Sequence, residues 1–457
     1  MCIRLIFEGR VMAVQHEKFH YKTPGDILET ARKLGVHIPL AGTAASALKS
    51  ASFGPVTLPN RLGVAPMEGG DGLSDGSPSE MTLRRYLRYA RGGAGLIWIE
   101  AVAMAPEARN GLRQLMLTRD NLDTYRRFVS QVKAAGKEAN GFEPYLVIQA
   151  HHSGRYSAPT GKSAPLIAYR HPVCDEGLPI DGSSIVTDEY LRHVEEEFAE
   201  FAYLSREAGF DAVDIKCCHG YLLPELTSAY LREGEYGGCF ENRTRLLVNS
   251  VAAAQTYERE NFLVTARIGI YDGPAWPYGF GVKEKGDETP DMTEPIRLVR
   301  TLYDMGVKMV NLTVGNPCVR SHYNRPFDMG SYLPDEHPLF SLARGIRLVG
   351  EVKRAVPEMF VSASAGSYMR QFAGRYVAGA IEEGLCDHML FGRMSYSNPD
   401  FPRQIAQLGD IDPMKTCVAC QKCESLIASG RPAGCPIRDT EVYGPYLKDL
   451  MREKQGG

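Results

Sequence analysis

Residues 211–223 read DAVDIKCCHGYLL, an apolar run that stops at Lys216 and gives way to two thiols, His219 and Tyr221. Such a run, bounded by polar residues, reads as a buried strand. Seven others share the rhythm: RLGVAPM (61–67), GAGLIWIEA (93–101), YLVIQA (145–150), FLVTARIGI (262–270), KMVNLTV (308–314), MFVSASA (359–365) and DHMLFGR (387–393). Each is followed by a helical pattern. Continuous apolar strands alternating with amphipathic helices imply a parallel sheet covered by helices, and eight units match a (β/α)8 TIM barrel in the α/β class. A doubly wound open sheet is the alternative. The barrel is preferred because a polar residue or a glycine recurs where each strand ends: Glu68, Glu100, Gln149, Lys216, Arg267, Gly315, Gly366 and Arg393. In a barrel those ends converge on one mouth, where such folds keep their chemistry.

The chain of 457 residues, 44% hydrophobic and 23% charged, can bury a large core. Its net charge of -3 offers no basic surplus for nucleic acid. No apolar run approaches the ~20 residues of a membrane span, and the opening MCIRLIFEGR is charged too early for a signal peptide. The expectation is a cytoplasmic protein with no membrane partner. Residues 1–51 read as an N-terminal extension with one short helix, signalled by Thr23 as N-cap, Pro24 in the first turn and Gly35 after the last. Residues 52–410 read as the barrel and 411–457 as a cysteine-rich segment. Of eleven cysteines, Cys417, Cys420, Cys423 and Cys435 crowd together, which in a reducing compartment suggests a metal site rather than disulfides. Cys217 and Cys218 are adjacent rather than C-x-x-C, and read as packing residues.

SAGS (364–367) and FGRM (391–394) place glycines where the seventh and eighth strands turn into helices, a cradle for a phosphate with Arg393 as counter-charge. Gln149 and Arg267 end apolar strands and need partners there; a neighbouring Glu would supply them, and so would the polar edge of a planar ring. The loop VGNPCVRSHYNRPF (314–327) would hang over the mouth, either as a loop held by its own hydrogen bonds or as a substrate lid with His322 and Arg325 as its candidates. The terminal pattern C-x2-C-x2-C-x11-C can ligate a [4Fe–4S] cluster or zinc.

Together LPNRLGVAPM (58–67), RGGAGLIWIEAVAM (91–104), QAHHSGR (149–155), HGYLL (219–223), YGGCFENRTR (236–245), FGRM and the terminal cysteines resemble the old yellow enzyme superfamily of FMN-dependent oxidoreductases. Within it they are similar to the branch of 2,4-dienoyl-CoA reductase and trimethylamine dehydrogenase. The resemblance implies FMN contacts from Pro66, Met67, Glu68, Ala101, Gln149, Arg267, Gly366, Ser367, Gly392 and Arg393. It implies a proton from Tyr221 to the carbon beside the one that receives hydride from flavin N5, with Lys216 and His219 gripping the substrate. The sequence departs from the family at Lys216, where carbonyl-reducing relatives place His or Asn; a full positive charge suits an anionic substrate, unless Lys216 merely pairs with a neighbouring carboxylate. The cysteine loop resembles the cluster loop of that branch, implying a [4Fe–4S] cluster on Cys417, Cys420, Cys423 and Cys435, although the middle spacing is one residue shorter. Relatives continue into a second flavin and nicotinamide domain, whereas 22 residues follow Cys435 here. The expectation is an FMN barrel that reduces an activated C=C bond (enone or enoate type) with electrons entering through the cluster. The donor would be a ferredoxin, a flavodoxin, a partner flavoprotein or NAD(P)H, and a homo-oligomer is left open. The alternatives are an amine or alcohol dehydrogenase running the other way, and a non-catalytic electron-transfer flavoprotein subunit.

Overall fold

All eight apolar runs form strands in the computed structural model, which describes residues 3–7, 10–14, 17–284, 286–330 and 332–456. They are β1 (Leu62–Val64), β2 (Leu96–Ala103), β3 (Tyr145–His151), β4 (Ala212–Cys217), β5 (Leu263–Gly269), β6 (Met309–Thr313), β7 (Phe360–Ala363) and β8 (His388–Phe391). Each pairs in parallel with its neighbours, and β8 closes on β1 with Leu390 opposite Gly63.

Alternation along the strands divides the core in two. One set, including Ile97, Ile99, Ile148, Val213, Ile215, Val264 and Leu312, packs in the large core with the surrounding helices. The other, Leu96, Trp98, Val147, Ala212, Met309, Phe360 and Leu390, packs with Phe53 and Leu58 of a hairpin built from Ala51–Phe53 and Val56–Leu58. Most of these barrel residues open their strands, so the hairpin seals the floor at the N-terminal ends. The Phe53 ring lies 4.8 Å from that of Phe360 there, tilted by 40°. The cavity is therefore left to the opposite, C-terminal ends.

One strand breaks the alternation. On β2, Trp98 pairs with Val147 but Ala101 pairs with Gln149, so an extra residue is accommodated between them. This bulge turns Glu100 away from the mouth, against Arg85 and Tyr86 of the helix Glu80–Arg91, and brings Ala101 inward. The expectation that Glu100 joins the polar ring at the mouth is corrected on this point.

In the extension, Pro24–Leu34 is the helix the caps announce: Thr23 Oγ1 accepts from the Asp26 amide at 3.3 Å and Gly35 closes with φ 69°. That cap is worth ~1 kcal/mol. The single-helix expectation falls short, because Ala45–Leu48 is also helical and Ile3–Phe7 pairs antiparallel with Arg10–Val14. At the other end, Asp439 accepts from Arg84 and Arg88 just before the last helix, Thr440–Gly456, and so ties the tail to the helix Glu80–Arg91.

Cys217 and Cys218 are buried packing residues. Cys174 and Cys318 form a disulfide, a pairing for which the sequence offered no reading. Among the described residues no helix is long and apolar enough to cross a membrane.

Candidate active site

A cavity of about 540 Å³ opens over the C-terminal ends of the strands, within the size range of small-molecule sites. β4 supplies its most distinctive wall. Period-two alternation sends Asp214 and Lys216 inward together; the chain then turns through His219 (φ 70°) and Gly220 (φ 71°), both left-handed, and Tyr221 leads into the helix Leu222–Thr227. Two consecutive left-handed residues reverse the chain within one step, so Lys216, His219 and Tyr221 all line the cavity.

Lys216 is 6% exposed, and among the described residues it makes no hydrogen bond or ion pair. Its ammonium lies 4.1 Å from the centre of the Tyr221 ring, a cation–π contact. Burial pulls its pKa down to about 8, with Cys218 and Glu68 opposing. The reading of Lys216 as one half of a structural ion pair is thus not what the geometry shows. His219 is held well below its ordinary pKa, first by burial and then by Arg267, Lys216 and Arg325, so the imidazole is neutral and keeps a single N–H. Its Nε2 lies 3.3 Å from Thr313 Oγ1. Burial, reinforced by Glu68, raises the Tyr221 phenol, which stays protonated throughout the neutral range. The Tyr221 ring packs edge-on against His151 at 4.4 Å.

The residues expected to hold FMN line the same cavity, except Gly366. Pro66, Met67, Glu68, Ala101, Gln149, Arg267, Ser367, Gly392 and Arg393 all face it. Gly366 is packed instead on the far side, where a Cβ would come 2.7 Å from Met389 Sδ. Gly392 needs its missing side chain as well, since a Cβ there would lie 2.6 Å from Met67 Sδ. Among the described residues of this wall, buried polar atoms without partners include Arg267 Nε and Nη1 of Arg393, whose Nη2 donates to Pro326 O at 2.7 Å. Guanidinium N–H groups left unpaired in a wall that also carries Gln149, Ser364 and Ser367 fit a polar ring with an anionic tail. Glu68 Oε1 accepts from Asn110 Nδ2 at 2.7 Å, and burial raises the Glu68 carboxyl.

Asp214 is a candidate positioning residue that sequence reasoning missed. Its Oδ2 accepts from Gln149 Nε2 at 2.6 Å and from Trp98 Nε1 at 2.8 Å, and its Oδ1 accepts from the Arg267 amide at 2.6 Å. It therefore fixes the Gln149 amide in one orientation. An acid two residues before Lys216 in an apolar strand was the available signal. The lid candidates divide: His322 is buried against Tyr332 and Asp335, away from the cavity, whereas Arg325 lines it. Arg325 Nη2 donates to Glu424 Oε1 at 2.8 Å, across the mouth.

Glu424 follows Cys423 in the helix Lys422–Ala428, which the tail folds back beside the barrel mouth. Cys417, Cys420, Cys423 and Cys435 line one small cavity of about 20 Å³ together with Arg393, Tyr396 and Arg438. Arg393, Tyr396 and Cys423 belong to both cavities, so one layer of side chains separates them. Among the described residues no group of three or more His, Cys, Asp or Glu is disposed to hold a single metal ion.

A sequence model described as the NADH:flavin oxidoreductase / NADH oxidase family matches residues 49–294, more than half of the chain. An NADPH dehydrogenase of Bacillus velezensis is 28% identical over 269 residues, covering 57% of this chain and 70% of its own. An NADH oxidase of Thermoanaerobacter brockii is 23% identical over 371 residues, covering 80% of this chain and 52% of its own. Among solved structures, a 2-naphthoyl-CoA reductase in complex with 2-naphthoyl-CoA superposes with a TM-score of 0.70 at 16% identity, covering 86% of this chain and 57% of that one. This last is a likeness of fold. The chain spans about half the length of these two larger proteins.

Proposed function

Because the chain belongs to the NADH:flavin oxidoreductase / NADH oxidase family, within the old yellow enzyme superfamily of FMN-dependent oxidoreductases, we propose that it reduces an activated C=C bond in a substrate that carries an anionic group. The observation that carries this reading is the unpaired ammonium of Lys216 beside His219 and Tyr221 on one wall of the cavity.

In this reading Gln149 and Arg267 meet the polar edge of the FMN ring, Pro66, Met67 and Ala101 pack on it, and Ser367, Gly392 and Arg393 take the phosphate. Bound FMN supplies the two-electron chemistry. The side chains opposite do the rest. Lys216 takes a substrate carboxylate by a charge-assisted hydrogen bond. His219, neutral and with one N–H, donates to the oxygen on which negative charge develops. Tyr221 delivers its phenolic proton to carbon. Its raised pKa makes it a reluctant acid, and the ammonium over its ring face eases that cost by stabilising the phenolate left behind. Lys216 thus has two tasks, binding and acid activation.

The reading of Cys417, Cys420, Cys423 and Cys435 as holding an iron–sulfur cluster rests on a donor set of sulfur alone and on the one small cavity that all four line. Such a cluster would supply one-electron transfer, and Arg393, Tyr396 and Cys423 would stand between it and the barrel cavity. The amine dehydrogenase alternative is disfavoured by Lys216, which repels a cationic amine.

The test is anaerobic reoxidation of the reduced protein against matched enoates, their esters, enones and amines. Fast reoxidation by the enoate and slower by its ester is expected. Equal rates for both would remove the anionic group from the proposal, and reduction of the oxidised protein by amines would reverse the direction.

A further inference from the structure

The Cys174–Cys318 disulfide joins the long connection after β3 to a short helix that lines the cavity. Its cysteines are separated by 144 residues in sequence and 5.9 Å between Cα atoms. Cys174 lies in the long connection after β3, and Cys318 in the first turn of the helix Pro317–Asn324 after β6. Cys174 is buried, whereas Cys318 is partly exposed and lines the cavity, within reach of small molecules.

Both partners are connected to the turn that presents His219 and Tyr221. On one side the Cys318 amide donates to Asn316 Oδ1 at 3.0 Å. That carboxamide sits so close to Gly220 that a Cβ there would meet Asn316 Oδ1 at 2.7 Å. On the other side Asp175, next to Cys174, pairs with Arg155, whose Nε donates to Glu225 Oε1 at 2.6 Å. Glu225 stands in the short helix that starts directly after Tyr221. The Cys174 amide is itself held by His171 Nδ1 at 3.1 Å. The bond therefore closes a loop of contacts around the Gly220 turn, from Asn316 to Glu225.

We propose that Cys174 and Cys318 are a reversible thiol–disulfide pair that sets the working geometry of the His219–Tyr221 turn. Closed, the pair braces the turn from both flanks and holds the rim over the cavity; open, it frees both flanks. The exchange balances with a low-molecular-weight disulfide as oxidant. One thiolate attacks it and releases a first thiol; the second protein thiolate then attacks the mixed disulfide and releases a second. Two electrons leave the protein sulfurs for the small disulfide, whose S–S bond breaks as the protein's forms, and the two protein protons end on the released thiols. A dithiol runs the sequence backwards. The inference rests on the assignment of His219 and Tyr221 to the reaction.

The test uses the FMN-loaded full chain, without substitution, in two forms: one equilibrated with oxidised glutathione and one with dithiothreitol, each freed of reagent anaerobically. Non-reducing peptide mapping reports whether the pair is closed. Expected are a closed pair with full enoate turnover in the first form and an open pair with kcat lower by on the order of tenfold in the second. The open form should also show stronger quenching of flavin fluorescence by iodide. The double variant Cys174→Ser/Cys318→Ser should behave as the open form after either treatment. The proposal is overturned if the pair never closes, if its opening changes neither kcat nor quenching, or if the double variant still responds to the oxidant. Failure of the site assignment looks different: neither form turns over the enoate, while mapping and quenching still decide the fate of the pair.

Discussion

At the scale of single residues, the cavity sets a neutral acid, a neutral donor and a buried cation side by side. Tyr221→Phe keeps the ring and its packing on His151 but removes the transferable proton. Stopped-flow measurement should find FMN bound and reducible, with substrate-dependent reoxidation slower by ~10²-fold, the usual range for a lost general acid. An unchanged rate takes Tyr221 out of the mechanism. Lys216 gives a pH signature. Its pKa is lowered to about 8, so the ammonium is present below that value and is lost as pH rises through it. KM for a carboxylate substrate should climb above pH ~8 while KM for the ester stays level. Lys216→Met should give the high KM at every pH, and a carboxylate KM that does not vary with pH in the natural protein would show that the ammonium does not meet substrate. Lys216 itself was legible in the sequence because a lysine that ends an apolar strand needs an anionic partner, and the structure places no carboxylate in ion-pair contact with it among the described residues. Asp214 was not, since an acid in a strand shows its worth only once Trp98, Gln149 and the Arg267 amide are seen to converge on it.

At the scale of elements, the tight reversal after β4 is the most demanding piece of backbone in the site. Gly220 has φ 71°, and Asn316 fills the space where a side chain would stand. Gly220→Ala therefore meets both a left-handed backbone, costing ~1–2 kcal/mol, and a steric contact. Thermal unfolding should shift down by about 1–3 °C, FMN affinity should hold because Gly220 is not among the residues facing the ring, and kcat should fall through displaced His219 and Tyr221. A kcat equal to that of the natural protein would mean the turn tolerates movement. Elements were also where the sequence spoke most clearly, because a parallel strand buried on both faces is written as an uninterrupted apolar run. Glu100 was misplaced for a physical reason: a bulge between Trp98 and Ala101 shifts the inward register by one residue, and nothing in GLIWIEA marks it. The pairing of Cys174 with Cys318 was equally hidden, since it depends on two loops that meet only after the barrel closes.

At the scale of the whole molecule, the tail returns to the barrel mouth and shares Arg393, Tyr396 and Cys423 with it. If electrons arrive through the cysteine site, Cys420→Ser should lose iron and sulfide, keep FMN, and lose turnover with a reduced ferredoxin or flavodoxin. A small dye that reaches the ring directly should still support it. Undiminished turnover of the variant with NADH alone would make the cysteines a staple for the tail. The hairpin beneath the barrel has its own bearing on kinetics. With Phe53 and Leu58 sealing the floor, the barrel is a vessel with one mouth, and visitors to the ring must queue. A nicotinamide donor would have to depart before the substrate could come in, and double-reciprocal plots would run parallel. Electrons that come through the wall at Arg393 stand in no queue: the substrate can already be seated when they arrive, and the lines should cross.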